Sequence, residues 1–318
     1  DPAYRAYFGL DRGAPPSKAP KPTTRRAVAL RELLETRLGW EVTREFGLAV
    51  TFGRSLDDTA CSTLAVDEVA LGSAARELVE HLREHHRGSF RADPDLHRVQ
   101  HFLEGLLQRL RLKGGIHHPL LEEFARRDSR FFLSKAKNPR LSRFGPHSQV
   151  PAFWYLGDPG PRSSYQALHS SPRTRTWYRV WTRRALGLLQ ENDGSIDTLL
   201  DRTVRVLREH GILRTLEGPK AKTVAGLAPE ALWVTGDVAR VRCASCGHQL
   251  TLAAPAAERF VGKSCMAFAC SSGAYALDAT SGESERYYQN LYKSGRATRI
   301  YTGEHTGLLQ RAEREALE

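Results

Sequence analysis

The chain has 318 residues, of which 41% are apolar, and its 47 Lys and Arg residues against 36 Asp and Glu give a formal net charge of +11 at pH 7. This length allows two or three domains with hydrophobic cores, and the positive charge favours polyanionic partners such as nucleic acids. We expect neither a membrane span nor a secretory leader, because no apolar run is long enough to cross a bilayer and no charged-then-apolar segment opens the chain.

The first half of the chain predicts a linker followed by a mixed, mostly helical domain. Residues 1–23 are interpreted as a linker or surface loop, because prolines recur there among Gly, Ser, Lys and Thr. The domain, residues 24–160, begins with a predicted amphipathic helix from Thr24 to Leu38. Apolar residues at spacings of two then predict a strand over 41–52, and two further helices are predicted over 67–87 and 95–113.

The segment 126–147, inside this domain, is the most basic stretch of the chain. Seven Arg or Lys residues stand there against one acid, Asp128, with phenylalanines between them. Such a segment can bind phosphates and stack on unpaired bases, or it can be a solvated loop whose phenylalanines anchor it to the domain. The candidate nucleic-acid contacts in it are Lys135, Lys137, Arg140 and Arg143.

Residues 161–236 predict a winged helix. Its first helix runs from Arg173 to Leu189, and its second runs from Ile196 to His210 with an apolar face opposite an arginine-rich face. A strand over 212–216, a turn over 218–222 and a returning strand over 232–234 complete the unit. A winged helix lays such parts against DNA, although these domains also dock proteins.

The predicted winged helix supplies the remaining candidate phosphate contacts, which are basic side chains on its two helices and its turn. A charged helix face without any DNA contact is the alternative interpretation. The candidates are Arg173, Arg175, Arg179 and Arg183 on the first helix, Arg202 and Arg205 on the second, and Lys220 and Lys222 on the turn.

Residues 237–282 predict a small metal-binding module. Cys243 and Cys246 form a pair with a two-residue gap, and Cys265 and Cys270 form a second pair with a longer gap than is usual. A tetrahedral Zn²⁺ ion takes four thiolates, so this pattern indicates a structural zinc site. Disulfides and buried free thiols are the alternatives.

The cysteines also favour a cellular compartment, and the chain ends suggest that the sequence is part of a larger protein. Cys61 has no sequence partner, which favours a reducing compartment, and the cytoplasm is the expected location. The chain opens on Asp1 and Pro2 and closes inside a predicted helix, so we expect it to be part of a larger protein.

Enzyme motifs are incomplete in this sequence. Gly262-Lys263-Ser264 imitates the end of a phosphate-binding loop but lacks the earlier glycine, and Asp67-Glu68 starts a predicted helix rather than following a strand. The pairs His85-His86 and His117-His118 lack further ligands at metal-binding spacing. We therefore expect no complete catalytic site in this chain.

Several short motifs carry a resemblance to a known family. They are Tyr287-Tyr288-Gln289-Asn290-Leu291-Tyr292, Arg299-Ile300-Tyr301-Thr302-Gly303-Glu304-His305-Thr306-Gly307, Gly53-Arg54-Ser55-Leu56, Leu110-Arg111-Leu112-Lys113-Gly114-Gly115-Ile116-His117-His118-Pro119 and Phe144-Gly145-Pro146-His147-Ser148. With the cysteine pairs, this set resembles large bacterial superfamily 2 DEAD/DEAH-box helicases, some of which act in phage defence. The resemblance implies that residues 283–318 begin the second RecA-like lobe and that the preceding residues form an insert between the lobes.

The leading hypothesis combines these predictions. We expect an α+β, predominantly helical fold that serves as a nucleic-acid-binding accessory region of an ATP-dependent DNA helicase and grips or steers single- or double-stranded DNA. Zinc would be structural, and ATP would bind only elsewhere in the parent protein, whose remaining lobes would be partners of this region. The alternatives are a protein-interaction module that docks a defence or repair partner, and an enzyme on modified bases or ends whose site is not visible in the sequence.

Overall fold

A computed structural model describes residues 25–48, 55–86, 88–90, 92–128, 150–157, 163–169, 175–189, 193–278 and 290. Within these residues the chain is a mixed α+β protein, which confirms the predicted class in outline. The predicted linker 1–23, most of the basic segment 126–147 and nearly all of the segment 283–318 lie outside the described residues.

The described residues form helices and short strands in the following order. The helices are α1 (Arg25–Thr43), α2 (Glu68–His85), α3 (Leu96–Leu112), α4 (Glu122–Arg127), α5 (Trp177–Leu186), α6 (Asp193–Glu209) and α7 (Ala254–Phe260). The strands are β1 (Thr63–Val66), β2 (Trp154–Tyr155), β3 (Gln166–Ala167), β4 (Leu213–Glu217), β5 (Thr223–Leu227), β6 (Leu232–Thr235), β7 (Val238–Cys243), β8 (Gln249–Ala253) and β9 (Tyr275–Leu277).

These strands make three small sheets. β1 pairs antiparallel with β6, and the four-stranded sheet has the order β3-β2-β5-β4, in which the β2–β3 pair is parallel and the other pairs are antiparallel. The third sheet has the order β8-β7-β9 with antiparallel pairs. Each sheet is too narrow to bury a core by itself, so the sheets are stabilised by the helices that pack on them.

The helices predicted over 67–87 and 95–113 are confirmed as α2 and α3. Asp67 caps α2, because its side chain accepts a hydrogen bond from the backbone N–H of Ala70 at 2.8 Å. Asp95 caps α3 in the same way through Arg98 N at 2.7 Å. Asp67 therefore lies at the start of a helix, as predicted, and acts there as its N-terminal cap.

The strand predicted over 41–52 is wrong for the part that the structure describes. α1 continues to Thr43, and residues Arg44–Leu48 form one π-helical turn. Val42 and Phe46 are four residues apart, and this spacing places side chains on one face of a helix as well as on one face of a strand. Phe46 is buried in the core from its helical position.

α3 is the central element of the fold. It contacts α2, α5, α7, the π-helical turn and β5, and buried residues lie on every side of it. The crossing with α5 is especially close at Gly105, where an added Cβ would overlap the buried Trp181 ring. The Trp181 indole donates a hydrogen bond to the Phe102 carbonyl at 3.0 Å, which holds α5 against this turn of α3.

One buried ion pair, with a hydrogen bond beside it, links the core to distant parts of the chain. Arg111 of α3 contacts Asp57 with both guanidinium nitrogens, at 3.0 and 3.2 Å, and both residues are buried. Thr251 of β8 donates to the Asp57 carbonyl at 2.6 Å. Because a buried ion must keep its partner, this network ties α3, the loop before β1 and the third sheet together.

The predicted domain boundaries at 160/161 and 236/237 do not separate packing units. β2 lies before the first boundary but pairs with β5, and β1 pairs with β6. One hydrophobic cluster also runs from α2 and α3 through α6 to Cys243 and Tyr275. The spacing of apolar residues within a segment predicts a helix or a strand, but it does not predict which distant element packs against that helix or strand.

The returning strand of the predicted winged helix is also different from the prediction. β4 pairs with β5, in the register Leu213 opposite Leu227, so β5 is the returning strand of the hairpin. The predicted returning segment 232–234 belongs to β6, which pairs with β1 instead. Both segments are short and apolar, and only their long-range pairing distinguishes them.

In the part of the chain that the structure describes, no helix is both long and apolar enough to cross a membrane.

We predict that Gly105→Ala destabilises the fold by about 3 kcal/mol, because the new methyl group must displace a buried indole at the α3–α5 crossing. Chemical denaturation measures this change. The matched control is Gly72→Ala in α2, where the nearest atom to the new Cβ is 3.8 Å away. We expect that variant to be neutral or up to about 1 kcal/mol more stable, since alanine favours a helix over glycine. Equal stability of the two variants would contradict the close crossing.

Candidate metal centre and nucleic-acid interface

The four cysteines of the two sequence pairs meet at one point. The Sγ atoms of Cys243, Cys246, Cys265 and Cys270 all lie within 4.8 Å of one another. Cys243 Sγ is 3.8 Å from Cys270 Sγ, and Cys246 Sγ is 3.7 Å from Cys265 Sγ. Zn–S bonds of about 2.3 Å in a tetrahedron place the sulfurs about 3.8 Å apart. The four thiols therefore fit around one metal ion, and these cysteines form no disulfides.

The first pair is held by a tight turn at the end of β7. The Gly247 N–H donates to the Cys243 carbonyl at 3.0 Å, and the Cys243 N–H donates to the His248 carbonyl at 2.8 Å. Gly247 has a φ of 74°, which a residue with a Cβ rarely adopts. The turn brings the Cys246 thiol back over the Cys243 thiol.

The second pair is held by a loop over residues 265–270. The Ala267 N–H donates to Cys265 Sγ at 3.3 Å, and the Cys270 N–H donates to the Ala267 carbonyl at 3.1 Å. Gly273 then passes so close that an added Cβ would overlap the sulfurs of both Cys243 and Cys270. The backbone at Gly273 thus forms one wall of the metal centre.

The thiols differ in acidity. Burial opposes ionisation of Cys243, but hydrogen bonds from the backbone of Cys246 and Ser245 lower its pKa to about 7. Burial raises the pKa of Cys265 and of Cys270, and the neighbouring thiols add to the effect. Four thiolates so close together require a cation, and metal binding would displace the remaining protons.

A second layer of side chains orients the ligands. The buried Tyr275 hydroxyl accepts a hydrogen bond from the Met266 N–H at 3.0 Å, lies 3.8 Å from Cys265 Sγ and hydrogen-bonds His248 Nδ1 at 2.8 Å. The His248 ring is thus engaged with the Tyr275 hydroxyl. Such outer contacts fix the orientation of metal ligands.

Helix α5 fastens the metal centre to the rest of the fold. The Trp177 indole donates to the Met266 carbonyl at 2.7 Å, and Arg184 Nη1 donates to the carbonyls of Cys265 at 2.6 Å and Ala267 at 3.0 Å. The second loop is therefore held from inside by the ligands and from outside by α5.

The predicted phosphate contacts fall into four groups, the last of which pairs with acids inside the protein. Arg205 and Lys222 line one open cleft of about 510 Å³ between α6 and the β4–β5 hairpin, together with Arg208 and His169. Lys220 is exposed on the same hairpin turn, Arg175 is exposed before α5, and Arg183 is half-buried. Arg173, Lys135, Lys137, Arg140 and Arg143 lie outside the described residues.

Two predicted contacts are engaged inside the protein. Arg179 is 2% exposed and holds Asp197 of α6 with two contacts, at 3.0 and 2.6 Å. Arg202 pairs with Glu77 of α2 at 2.7 Å. The prediction of Arg179 as a phosphate contact is wrong, because removing its guanidinium from Asp197 would leave a charge buried without its partner. Arg202 joins α6 to α2, and a phosphate would have to compete with Glu77.

The hairpin turn is preorganised. The Gly218 N–H donates to the Lys222 carbonyl at 2.8 Å, and the Tyr155 hydroxyl donates to the Pro219 carbonyl at 2.8 Å. Lys220 lies in the left-handed region with a φ of 57°. This geometry leaves both lysine side chains exposed beside the cleft.

The cleft contains one acid, Asp201, which lies beside His169. His169 Nε2 lies 2.8 Å from Asp201 Oδ1, and this contact raises the pKa of His169. Arg205 and Lys222 have no carboxylate partner in the described ranges, and Arg208 lies only at the limit of an ion pair with Glu209, at 4.0 Å. The cleft therefore has an excess of positive charge that is open to an anion.

Some functional candidates were missing from the sequence predictions. Arg208 was recognised only as part of a charged helix face, and His169 was not identified because its partner Asp201 lies far away in sequence. The histidine pair at 117 and 118 is structural, since His117 Nε2 donates to the Arg214 carbonyl at 2.9 Å and His118 Nε2 donates to the Thr36 carbonyl at 3.0 Å. Burial lowers the pKa of His117 to about 4, which keeps that ring neutral.

We predict that the protein, purified under reducing conditions, carries a bound transition metal and that Cys246→Ser loses it, because the four thiols form one centre. Elemental analysis and thermal unfolding, with and without a chelator, measure this. Cys61→Ser is the matched control, since Cys61 is a free thiol outside the cluster. Equal metal content in both variants, or none in the unmodified protein, would rule out the site.

We also predict that Gly273→Ala lowers metal affinity by roughly 10- to 100-fold, since its Cβ must push two ligands apart. Competition with a chromophoric chelator measures the affinity. Gly236→Ala is the control. Gly236 lies in the turn between β6 and β7, where the nearest atom to the new Cβ is 3.7 Å away. Unchanged affinity in Gly273→Ala would mean that the metal is held by some other arrangement.

Comparison of the chain with protein-family models, with curated proteins and with solved structures finds no match. Function is therefore inferred from the chemistry of the cysteine cluster and of the basic cleft.

Proposed function

We propose that this chain is a nucleic-acid-binding accessory region that grips DNA through the cleft between α6 and the β4–β5 hairpin. The observation that carries the proposal is the convergence of Arg205, Arg208 and Lys222, from two different elements, on one open cleft. Cations without acidic partners are suited to phosphates, whose binding releases counterions from the nucleic acid.

The topology supports a winged helix in this region. Helices α5 and α6 are followed directly by the β4–β5 hairpin, and β2 adds a third strand to the hairpin beside β5. In this interpretation α6 is the recognition helix and the turn with Lys220 and Lys222 is the wing. The third strand comes from before residue 161, so the unit begins earlier than its predicted boundary.

We propose structural zinc for the cysteine cluster. Four thiols saturate a tetrahedral Zn²⁺, so no position remains for a water or a substrate. The ion would hold two loops and the third sheet against α5, and such a site can contribute on the order of 10 kcal/mol to folding. The thiol ligands would have to stay reduced, which agrees with the expected cytoplasmic location.

We further propose that the chain belongs to a larger ATP-dependent DNA helicase. The support is the resemblance of its short motifs, of which the segment 110–119 lies within the described residues. There Gly114, with a φ of 76°, and Gly115 make the sharp turn from α3 toward the hairpin. The remaining lobes of the parent would bind ATP and supply the translocation, while this region would steer the strand.

A second candidate function is the docking of a protein partner, and strand β6 favours it. Trp233 and Val234 of β6 are each 49% exposed, which is unusual for neighbouring large apolar residues. Retention of a protein partner by a chain that binds no DNA, with loss of that partner in Trp233→Ala, would favour docking over the cleft.

We predict that the chain binds DNA with an affinity that falls steeply with salt, and that Arg205→Gln/Lys222→Gln weakens binding roughly tenfold or more at low salt and lowers the salt slope by about 2. Fluorescence anisotropy across a salt series measures both quantities. The control, Arg37→Gln/Arg76→Gln, removes the same charge from exposed arginines of α1 and α2. An equal effect of the two variants would show that net charge, and not the cleft, governs binding.

A further inference from the structure

The second metal-binding loop displays an aromatic ring to solvent. The gap between Cys265 and Cys270 is longer than in the first pair, and its extra residues form a turn with Phe268 and Ala269 at the tip, closed by the hydrogen bond from Cys270 N–H to the Ala267 carbonyl at 3.1 Å. The Phe268 side chain is 43% exposed. Among the Phe, Tyr and Trp residues that the structure describes, only Phe268 and Trp233 are exposed to this degree.

The backbone that precedes this ring is held in place. Met266 turns inward and is 5% exposed, and its carbonyl accepts the Trp177 indole N–H. Arg184 binds the carbonyls on both sides of Met266. Because the backbone before Phe268 is already ordered, a ligand that contacts the ring pays little conformational entropy.

A cation stands beside the ring. The Arg175 guanidinium lies 5.2 Å from the centre of the Phe268 ring, which is a cation–π contact. Arg175 is exposed, and no carboxylate pairs with it in the described parts of the chain. An apolar face next to an unneutralised cation therefore projects from the metal module.

We propose that Phe268 and Arg175 form a stacking site for an unpaired base of a single-stranded nucleic acid, with the base on the ring and its phosphate near the guanidinium. This inference rests on the proposed function and assigns the metal module a direct role in it. A nucleotide complements both halves of the site, whereas an apolar protein side chain would cover the ring and leave Arg175 desolvated without a partner. Phe268 has no hydrogen-bonding group, so the site accepts any base.

The test compares three variants on a labelled single-stranded oligothymidine and on a duplex of the same length. Phe268→Leu keeps an apolar side chain but removes the π face, Phe268→Trp keeps the face, and Trp233→Leu is the control for loss of an exposed aromatic elsewhere. Metal content is measured in each variant to check that the centre is intact. We expect no change, because Phe268 is not one of the four candidate ligands.

We expect Phe268→Leu to weaken single-strand binding about tenfold and to change duplex binding by less than about twofold, since stacking on an aromatic ring acts on unpaired bases. Phe268→Trp and Trp233→Leu should bind as the unmodified protein does. A 2-aminopurine base placed in the strand should be quenched on binding, and Phe268→Leu should abolish that quenching.

Unchanged single-strand affinity and quenching in Phe268→Leu would overturn this inference, as would an equal loss on single strand and duplex. If Arg205→Gln/Lys222→Gln still weakens binding in that case, the proposed function stands and only the stacking site fails. If the unmodified protein binds neither nucleic acid, both proposals fail together.

Discussion

Burial of the central turns of helix α3 is the constraint on which the rest of the structure depends. A helix segment buried on all sides needs a partner from another element for each of its charged side chains, because a buried charge without a partner is costly. Arg259 of α7 meets this need for Glu104 by binding both Glu104 and Glu68, and Asp57 meets it for Arg111. Burial still raises the pKa of Glu104 to about 7, although Arg259 opposes the shift. The partners come from opposite ends of the described chain, so α3 assembles the other elements around it.

The metal centre is part of this assembly and not an appended module. Cys243, Cys265 and Cys270 join the same hydrophobic cluster as α2, α3 and α6. Helix α7, which follows β8, packs Phe260 against His101 of α3 with ring centres 4.4 Å apart. His101 is 1% exposed, and burial lowers its pKa to about 3, so it remains a neutral aromatic filler between two rings. Loss of an ion bound by these cysteines would thus affect the core through α7 and the helix α6 of the basic cleft through α5.

Local patterns made the helices and the ligands predictable. The apolar stripe of α3 and the capping residues before α2 and α3 follow from the 3.6-residue period, and the cysteine spacing alone selected the four sulfurs that meet. Contacts between residues that are distant in sequence could not be predicted from these patterns. The strand predicted at 232–234 exists, but it pairs with β1. Arg179 was predicted to be a surface cation because its partner Asp197 belongs to a different helix, and no sequence pattern indicates that pairing. The cleft likewise exists only because a helix and a hairpin turn face each other across space.

The pairing of β1 with β6 sets the order in which this protein can be built. Thr63 meets Thr235, so more than half of the 318-residue sequence separates the two strands. On the ribosome β1 and the apolar faces of α2 and α3 emerge long before their cover does, and contacts of such separation form slowly. A nascent chain must therefore wait with β1 unpaired and α3 only partly covered, which makes the interval before β5, β6 and α7 emerge the period in which chaperones or premature association would matter most.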